Sequence, residues 1–270
     1  MGASGDAERG LVPALIKYWR GRRGLSQLDL AMNAEISARH LSFLETGRAR
    51  PSREMLLRLG EALDIPLRDR NVMLRSAGYE DEYAEPGLDH GMPPAIGRAL
   101  EIMMDQHEPY PLVVMDRRFD AVKMNRAAVA VLGRFVADPS ALVSPMNAFE
   151  LLFDPKLVRN FVLDWEQAAR TMLWRLHLES LSRPGDDELR ELLARLHAYE
   201  GVPDGWRSPD LSTPADPVFS VRLRRGELEV GFLTTLTVFS APHNVTVEEL
   251  RIESYYPLDD ATVAFCESCR

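Results

Sequence analysis

Cysteine is almost missing from this chain: its 270 residues hold only Cys266 and Cys269, so no disulfide framework supports the fold. Long apolar runs are missing as well. The longest apolar-rich stretches, residues 112–115 and 250–256, fall far short of the roughly 20 residues that span a bilayer, and no membrane partner is expected. The opening MGASGDAERG lacks the apolar segment of a secretory signal, which makes a cytoplasmic location the expectation. There is no G-x-S-x-G, H-E-x-x-H, Walker loop or G-x-G-x-x-G, so the chain is not expected to be an enzyme. His40, His90, His107, His177, His197 and His243 fall in no metal-ligand spacing, and no metal or resident cofactor is expected. The Cys266-x-x-Cys269 pair lacks the second pair that a structural zinc site needs. It reads as part of a frayed tail, with a metal shared between two chains or a redox couple as alternatives. Asp186/Asp187 and Asp259/Asp260 read as solvated acids in turns.

What is present is an apolar fraction of 46%, enough for packed cores in about two domains of ~100–200 residues each. The charge is unevenly spread. Residues 1–80 carry 13 basic and 10 acidic side chains, a net of +3, and the rest carry 19 and 31, a net of −12, together the −9 of the whole chain. A locally basic head on an acidic body suits a module that binds a polyanion, joined to one that a polyanion repels.

The first 80 residues read as five short helices. Leu11, Leu15, Ile16 and Trp19 give residues 11–22 an amphipathic spacing, ended by Gly24. Ser26 and Asp29 form a capping box for a second helix, which runs to about Ala34 and is expected to bury Leu28, Leu30 or Ala31, and Met32. Ser37 caps a third helix over residues 38–46, with Leu41 and Leu44 inward and Gly47 at a left-handed C-cap. After the basic loop Arg48-Ala49-Arg50-Pro51, Ser52 caps a fourth helix that turns Met55, Leu56, Leu59 and Leu63 inward. Pro66 opens a fifth, whose apolar set is Leu67, Val72, Met73 and Leu74.

Two short helices joined by a tight turn inside a helical packet match a helix-turn-helix. Residues 38–46 are then the recognition helix. Ala38, Arg39, Ser42 and Phe43 share its outward face beside the cap Ser37. Arg39 can donate two hydrogen bonds to a guanine edge, and Phe43 can touch a thymine methyl. Gln27 is placed for a phosphate, and Arg48, Arg50 and Arg53 are candidate backbone contacts. From spacing alone, an ordinary helical domain with solvated arginines fits equally well.

Leu25-Ser26-Gln27, then Ile36-Ser37-Ala38-Arg39-His40-Leu41-Ser42-Phe43-Leu44-Glu45-Thr46-Gly47-Arg48, then Pro51-Ser52, resembles the phage-repressor-type (XRE/Cro) helix-turn-helix over about residues 11–77. The resemblance implies binding to a double-stranded DNA operator. A homodimer on an inverted repeat, with half-sites about one helical turn apart, is the expected form. The resemblance also implies a structural pairing of Arg20 with Glu45.

Residues 79–94 (YEDEYAEPGLDHGMPP) read as an acidic linker, which sets domains at 1–78 and 95–270. A helix is expected over residues 94–106, a hairpin over 112–115 and 119–124, and a helix over 125–135. A long helix is expected over 156–181, with an inner stripe of Val162, Trp165, Ala169, Met172, Leu173 and Leu176. Another helix is expected over 187–199. Strands follow at 218–224, 228–240 and 249–256. In the middle one Leu228, Val230, Phe232, Leu236 and Val238 are expected on one face. The chain is thus a mixed α and α/β molecule: a five-helix domain, then an α+β domain, PAS-like in outline, with an antiparallel sheet partly covered by helices.

The stretch Pro109-Tyr110-Pro111-Leu112-Val113-Val114-Met115-Asp116-Arg117-Arg118-Phe119-Asp120, with Asp164-Trp165-Glu166 and Leu250-Arg251-Ile252-Glu253-Ser254-Tyr255-Tyr256-Pro257, resembles the MmyB-like ligand-binding domain. That family joins a PAS-like sensor to this type of helix-turn-helix. The resemblance implies a transcriptional regulator that answers a small apolar effector, and fatty-acid binding is known within the family. Candidate pocket residues on facing elements are Tyr110, Met124, Asn125, Trp165, Met172, Phe232, Leu236 and Phe239. Arg175 or Arg222 can supply a charge-assisted bond to a carboxylate, and Asn125 can orient a polar head. The alternative is a DNA-anchored protein-interaction module with a filled, ligand-free core, because an aromatic stripe fits a filled interior as well as a cavity.

Overall fold

The computed structural model describes residues 4–87, 92–183, 186–206, 220–240 and 242–269. These fall into two units, residues 1–90 with 241–248, and residues 91–240 with 249–270. In the first unit α1 spans Ser4–Arg22, α2 Gln27–Asn33, α3 Ala38–Glu45, α4 Arg53–Ala62 and α5 Leu67–Ser76. Side-chain caps set three of the helix starts. Ser26 and Asp29 exchange the reciprocal bonds of a capping box, Ser37 accepts from the His40 amide, and Ser52 accepts from the Met55 amide. Gly47, at φ 70°, turns the chain out of α3 through the left-handed region that a side chain disfavours.

The core of this unit joins Ile16 and Trp19 of α1, Leu30 of α2, Leu41 and Leu44 of α3, and Leu56 and Leu59 of α4. Three expected core positions lie outside it. Leu11 is 43% exposed and Val12 is buried in its place; Leu28 and Met32 are 61% and 70% exposed. A seven-residue helix has one buried face, and Leu30 and Ala31 occupy it.

Residues 79–87 of the acidic stretch lie hydrogen-bonded on this unit. The Asn71 amide receives the Glu82 and Tyr83 amides and donates to the Tyr83 carbonyl, and the Tyr79 hydroxyl donates to the Pro51 carbonyl. Residues 88–91 lie outside the described residues. A further helix, α11 (Val245–Glu249), contributes to the same unit from far along the chain. The Val245 amide donates to the Ala84 carbonyl at 2.9 Å, and the Thr246 hydroxyl donates to the Pro86 carbonyl at 2.6 Å. The Glu248 carboxylate accepts from the Leu67 amide at 2.8 Å. That amide opens α5, whose own N-cap, Pro66, supplies no side-chain bond.

The second unit comprises α6 (Pro94–His107), β1 (Leu112–Met115), β2 (Ala121–Met124), α7 (Arg126–Phe135), α8 (Ala148–Phe153), α9 (Trp165–Ser182), α10 (Asp187–His197), β3 (Ser220–Arg225), β4 (Leu228–Thr237), β5 (Arg251–Pro257) and α12 (Asp260–Ser268). The strands form one antiparallel sheet in the order β2-β1-β5-β4-β3. Gly226 and Glu227 make a tight turn between β3 and β4, with Gly226 at φ 62°.

Four expectations for this unit need correction. The long helix begins at Trp165, not at residue 156. Before it, Val162 bridges Leu223 and the Leu163 amide donates to the Arg222 carbonyl at 2.8 Å. Pairing with the edge strand β3 thus claims a segment whose side chains alone read as helical. Strand β4 ends at Thr237, and Leu236, inside it, and Val238, beyond it, are 46% and 56% exposed rather than turned inward. Asp186 and Asp259 are working caps, accepting from the Leu189 and Thr262 amides, rather than idle solvated acids. The C-terminal residues are not frayed: α12 buries Cys266 to 1% exposure. Burial pushes that thiol up to about 11, which keeps it protonated at neutral pH.

Candidate functional site

In the first unit the orientation of α3 is fixed by a clamp at its end. Glu45, 9% exposed, receives the Arg20 guanidinium at 2.6 and 3.1 Å and the Gln27 amide at 2.7 Å. Burial alone would raise the Glu45 carboxyl. The hydrogen bonds from Arg20 and Gln27, with the Arg20 and Lys17 charges, outweigh it and hold the group below its usual range. The pairing of Arg20 with Glu45 is therefore present. Gln27 joins the same clamp instead of standing free toward solvent.

With Leu41 and Leu44 buried, the opposite face of α3 gathers Ala38, Arg39, Ser42 and Phe43. Arg39 is exposed, and its guanidinium lies 5.4 Å from the centroid of the Phe43 ring. The Ser37 hydroxyl is engaged as the cap of α3. Arg48 and Arg50 are exposed on the following loop. Arg53 is exposed as well, and it is ion-paired with Glu82.

The second unit holds a partly open cavity of about 130 Å³ between the sheet and helices α7, α8 and α9. Its walls are apolar: Val113 and Met124 from the hairpin, Ala128 and Phe135 from α7, Phe149 from α8, Met172 from α9 and Phe232 from β4. Phe119, buried and edge-on to Phe149 at 4.7 Å, closes one side. Into this surface come Arg175 from α9 with Glu253 and Tyr255 from β5. Arg175 Nη1 lies 3.6 Å from Glu253 Oε1, and the Thr234 and Tyr255 hydroxyls donate to the same carboxylate. Burial raises the Glu253 carboxyl, against the pull of Arg175 and these hydrogen bonds. Burial and the neighbouring Glu253 push the Tyr255 phenol well up, so it stays neutral. Beside this patch Glu179 receives Arg251 at 2.5 Å and Arg183 at 2.8 Å.

Of the pocket residues expected from sequence, Met124, Met172, Arg175 and Phe232 line the cavity. The others do not. Tyr110 stacks edge-on to His107. Asn125 is engaged in the backbone: its oxygen accepts from the Leu112 and Ala128 amides and its nitrogen donates to the Tyr110 carbonyl, knitting β1 to α7. Trp165 packs on Phe153 with Arg159 over its ring, and its indole nitrogen is buried without a partner. Arg222 is exposed beside Asp259 and Glu229. Leu236 is exposed, and Phe239 follows the end of β4 outside the lining. Glu253 and Tyr255 escaped the sequence reading. The signal was present: Arg251, Glu253 and Tyr255 place polar groups at period two in a strand otherwise fit for a buried sheet.

Comparison with known families gives two matches. A model described as the MmyB-like transcription regulator ligand binding domain matches residues 96–268. One described as a helix-turn-helix matches residues 16–69. No curated protein matches the chain. Among the described residues no helix is long and apolar enough to cross a membrane.

Proposed function

We propose, from the premise that this chain belongs to the family of MmyB-like transcription regulators with a ligand-binding domain, that it controls transcription in response to a small apolar molecule held in the cavity of its second unit. The observation that carries this reading is the cavity itself, apolar on nearly every side with a few convergent polar groups. A filled interior would serve an interaction module equally well; a 130 Å³ apolar space would not be needed by one. Fatty-acid binding is known within the family, but other members answer different small molecules, so the effector of this chain follows from the chemistry of its own cavity.

The first unit reads the operator. Arg39 addresses a base edge in the major groove, with Ala38, Ser42 and Phe43 around it. Arg48 and Arg50 meet phosphates, joined by Arg53 once it leaves Glu82. Ser37 and Gln27 take part through the positions they fix, as cap and clamp of α3. The protein acts as a homodimer on an inverted repeat. The effector biases the second unit between two arrangements, by no more than its difference in affinity for them.

The test is to denature the purified protein gently, identify the released small molecules by mass spectrometry, and titrate them back in an operator-binding assay. A stoichiometric apolar compound that shifts operator affinity supports the reading. A protein that releases nothing, and whose operator affinity no apolar compound alters, is an interaction module instead.

A further inference from the structure

The polar patch of the cavity is electrically balanced before any ligand arrives. Among the described lining residues, hydrogen-bonding side chains come only from Arg175, Glu253 and Tyr255. The Glu253 side chain is 9% exposed and that of Arg175 34%. Each charge already has its partner in the other. An added charge in so apolar a site is costly unless paired, and here both partners are taken. A carboxylate would compete with Glu253 for one guanidinium and set two negative groups side by side. An ammonium would likewise have to displace Arg175.

A hydroxyl or a primary carboxamide meets the pair as it stands. Its hydrogen goes to a Glu253 oxygen, and its own oxygen accepts from the Arg175 guanidinium. Size narrows the class further. An apolar cavity of about 150 Å³ takes a benzene molecule, and this one measures about 130 Å³. Four phenylalanines, Phe119, Phe135, Phe149 and Phe232, supply much of the wall.

Resting on the reading of this cavity as the effector site, we propose that it takes a compact neutral molecule, of the size of a substituted benzene ring, that presents one hydroxyl or carboxamide to the Arg175–Glu253 pair, and that it discriminates against carboxylates.

The test uses the full-length chain, washed free of copurified small molecules, and three probes of one shape: benzyl alcohol, benzoate and benzylamine. Calorimetric titration at pH 7.5 is expected to give benzyl alcohol at least tenfold tighter than either ion. Glu253→Gln, which leaves the Arg175 charge unpaired and removes the carboxylate that accepts the ligand hydroxyl, is expected to raise benzoate affinity at least tenfold and to weaken benzyl alcohol, reversing the preference between the two. The wild-type series needs no variant, so the proposal stays testable even where Glu253→Gln fails to fold. Benzoate or benzylamine binding as tightly as benzyl alcohol overturns the neutral-ligand inference and leaves the effector site standing. Absence of binding by all three overturns the inference. If apolar compounds of other shapes are then refused as well, the effector site itself falls.

Discussion

Arg39 and Glu45 sit on the same short helix and do opposite work. Arg39 points outward with its guanidinium over Phe43, and its contribution depends on DNA. Arg39→Ala is expected to cost about 1–3 kcal/mol of operator affinity and to relax preference at one base step. Binding to a panel of single-base operator variants checks this, and uniform weakening across the panel would make Arg39 a phosphate contact instead. Glu45 points inward, and its contribution is to the fold. Its carboxyl titrates lower in the folded chain than the value of about 4.3 in an unfolded one. The clamp therefore stabilises fully above that value, and the contribution disappears as pH falls through the lower folded value. Glu45→Gln leaves the partly buried Arg20 guanidinium without its carboxylate and is expected to cost about 1–3 kcal/mol at neutral pH. Denaturant unfolding followed from pH 7 to pH 3 should show the gap between wild type and variant closing in the acid range.

Among the elements, α12 shows how a helix without a strong apolar stripe is held. Thr262 is fully buried, accepts from the Gly231 amide of β4 at 2.9 Å, and donates to Asp259, the cap of its own helix. Thr262→Val keeps the shape and removes the acceptor, so a buried amide goes unpaired at about 1–3 kcal/mol. The measurement is the thermal midpoint beside amide exchange at Gly231, which should accelerate; an unchanged Gly231 would mean that another group replaces the bond. Elements of this kind explain what could be read from the sequence. In α2, α3 and α4 the instructions are local, since Ser26, Ser37 and Ser52 each sit at the start they cap. In the second unit they are not. Residues 159–163 leave the helical pattern because β3 offers them backbone partners, and α11 has five residues, too few for any period to show. Met124, Met172 and Phe232 were legible in the cavity because apolar residues at strand or helix spacing declare an inward face. Arg222 was drawn in only by its charge. Glu253 stayed hidden because its meaning depends on Arg175, far away in sequence, and on a wall of phenylalanines from α7, α8, β4 and the β1–β2 turn.

At the scale of the whole molecule, the two units are not two consecutive lengths of chain. The chain leaves the sheet after β4, contributes α11 to the DNA-binding unit, and returns as β5. Both flanking strands line the cavity, β4 through Phe232 and β5 through Glu253 and Tyr255. An effector that moves either strand therefore pulls on a segment that is part of the helical unit, and it does so through covalent bonds. Within that unit Glu248 holds the Leu67 amide at the start of α5, and a pull on α11 is expected to register there. Loss of a side-chain cap of this kind costs about 0.5–2 kcal/mol. Glu248→Ala is accordingly expected to speed hydrogen exchange of the Leu67 amide about tenfold, while amides at the centre of α3 stay protected. Adding an effector to the wild-type chain should change exchange at Leu67 in one direction, and the same addition to Glu248→Ala should change it little. Equal effector responses in both proteins would show that the signal reaches the helical unit by some route other than α11.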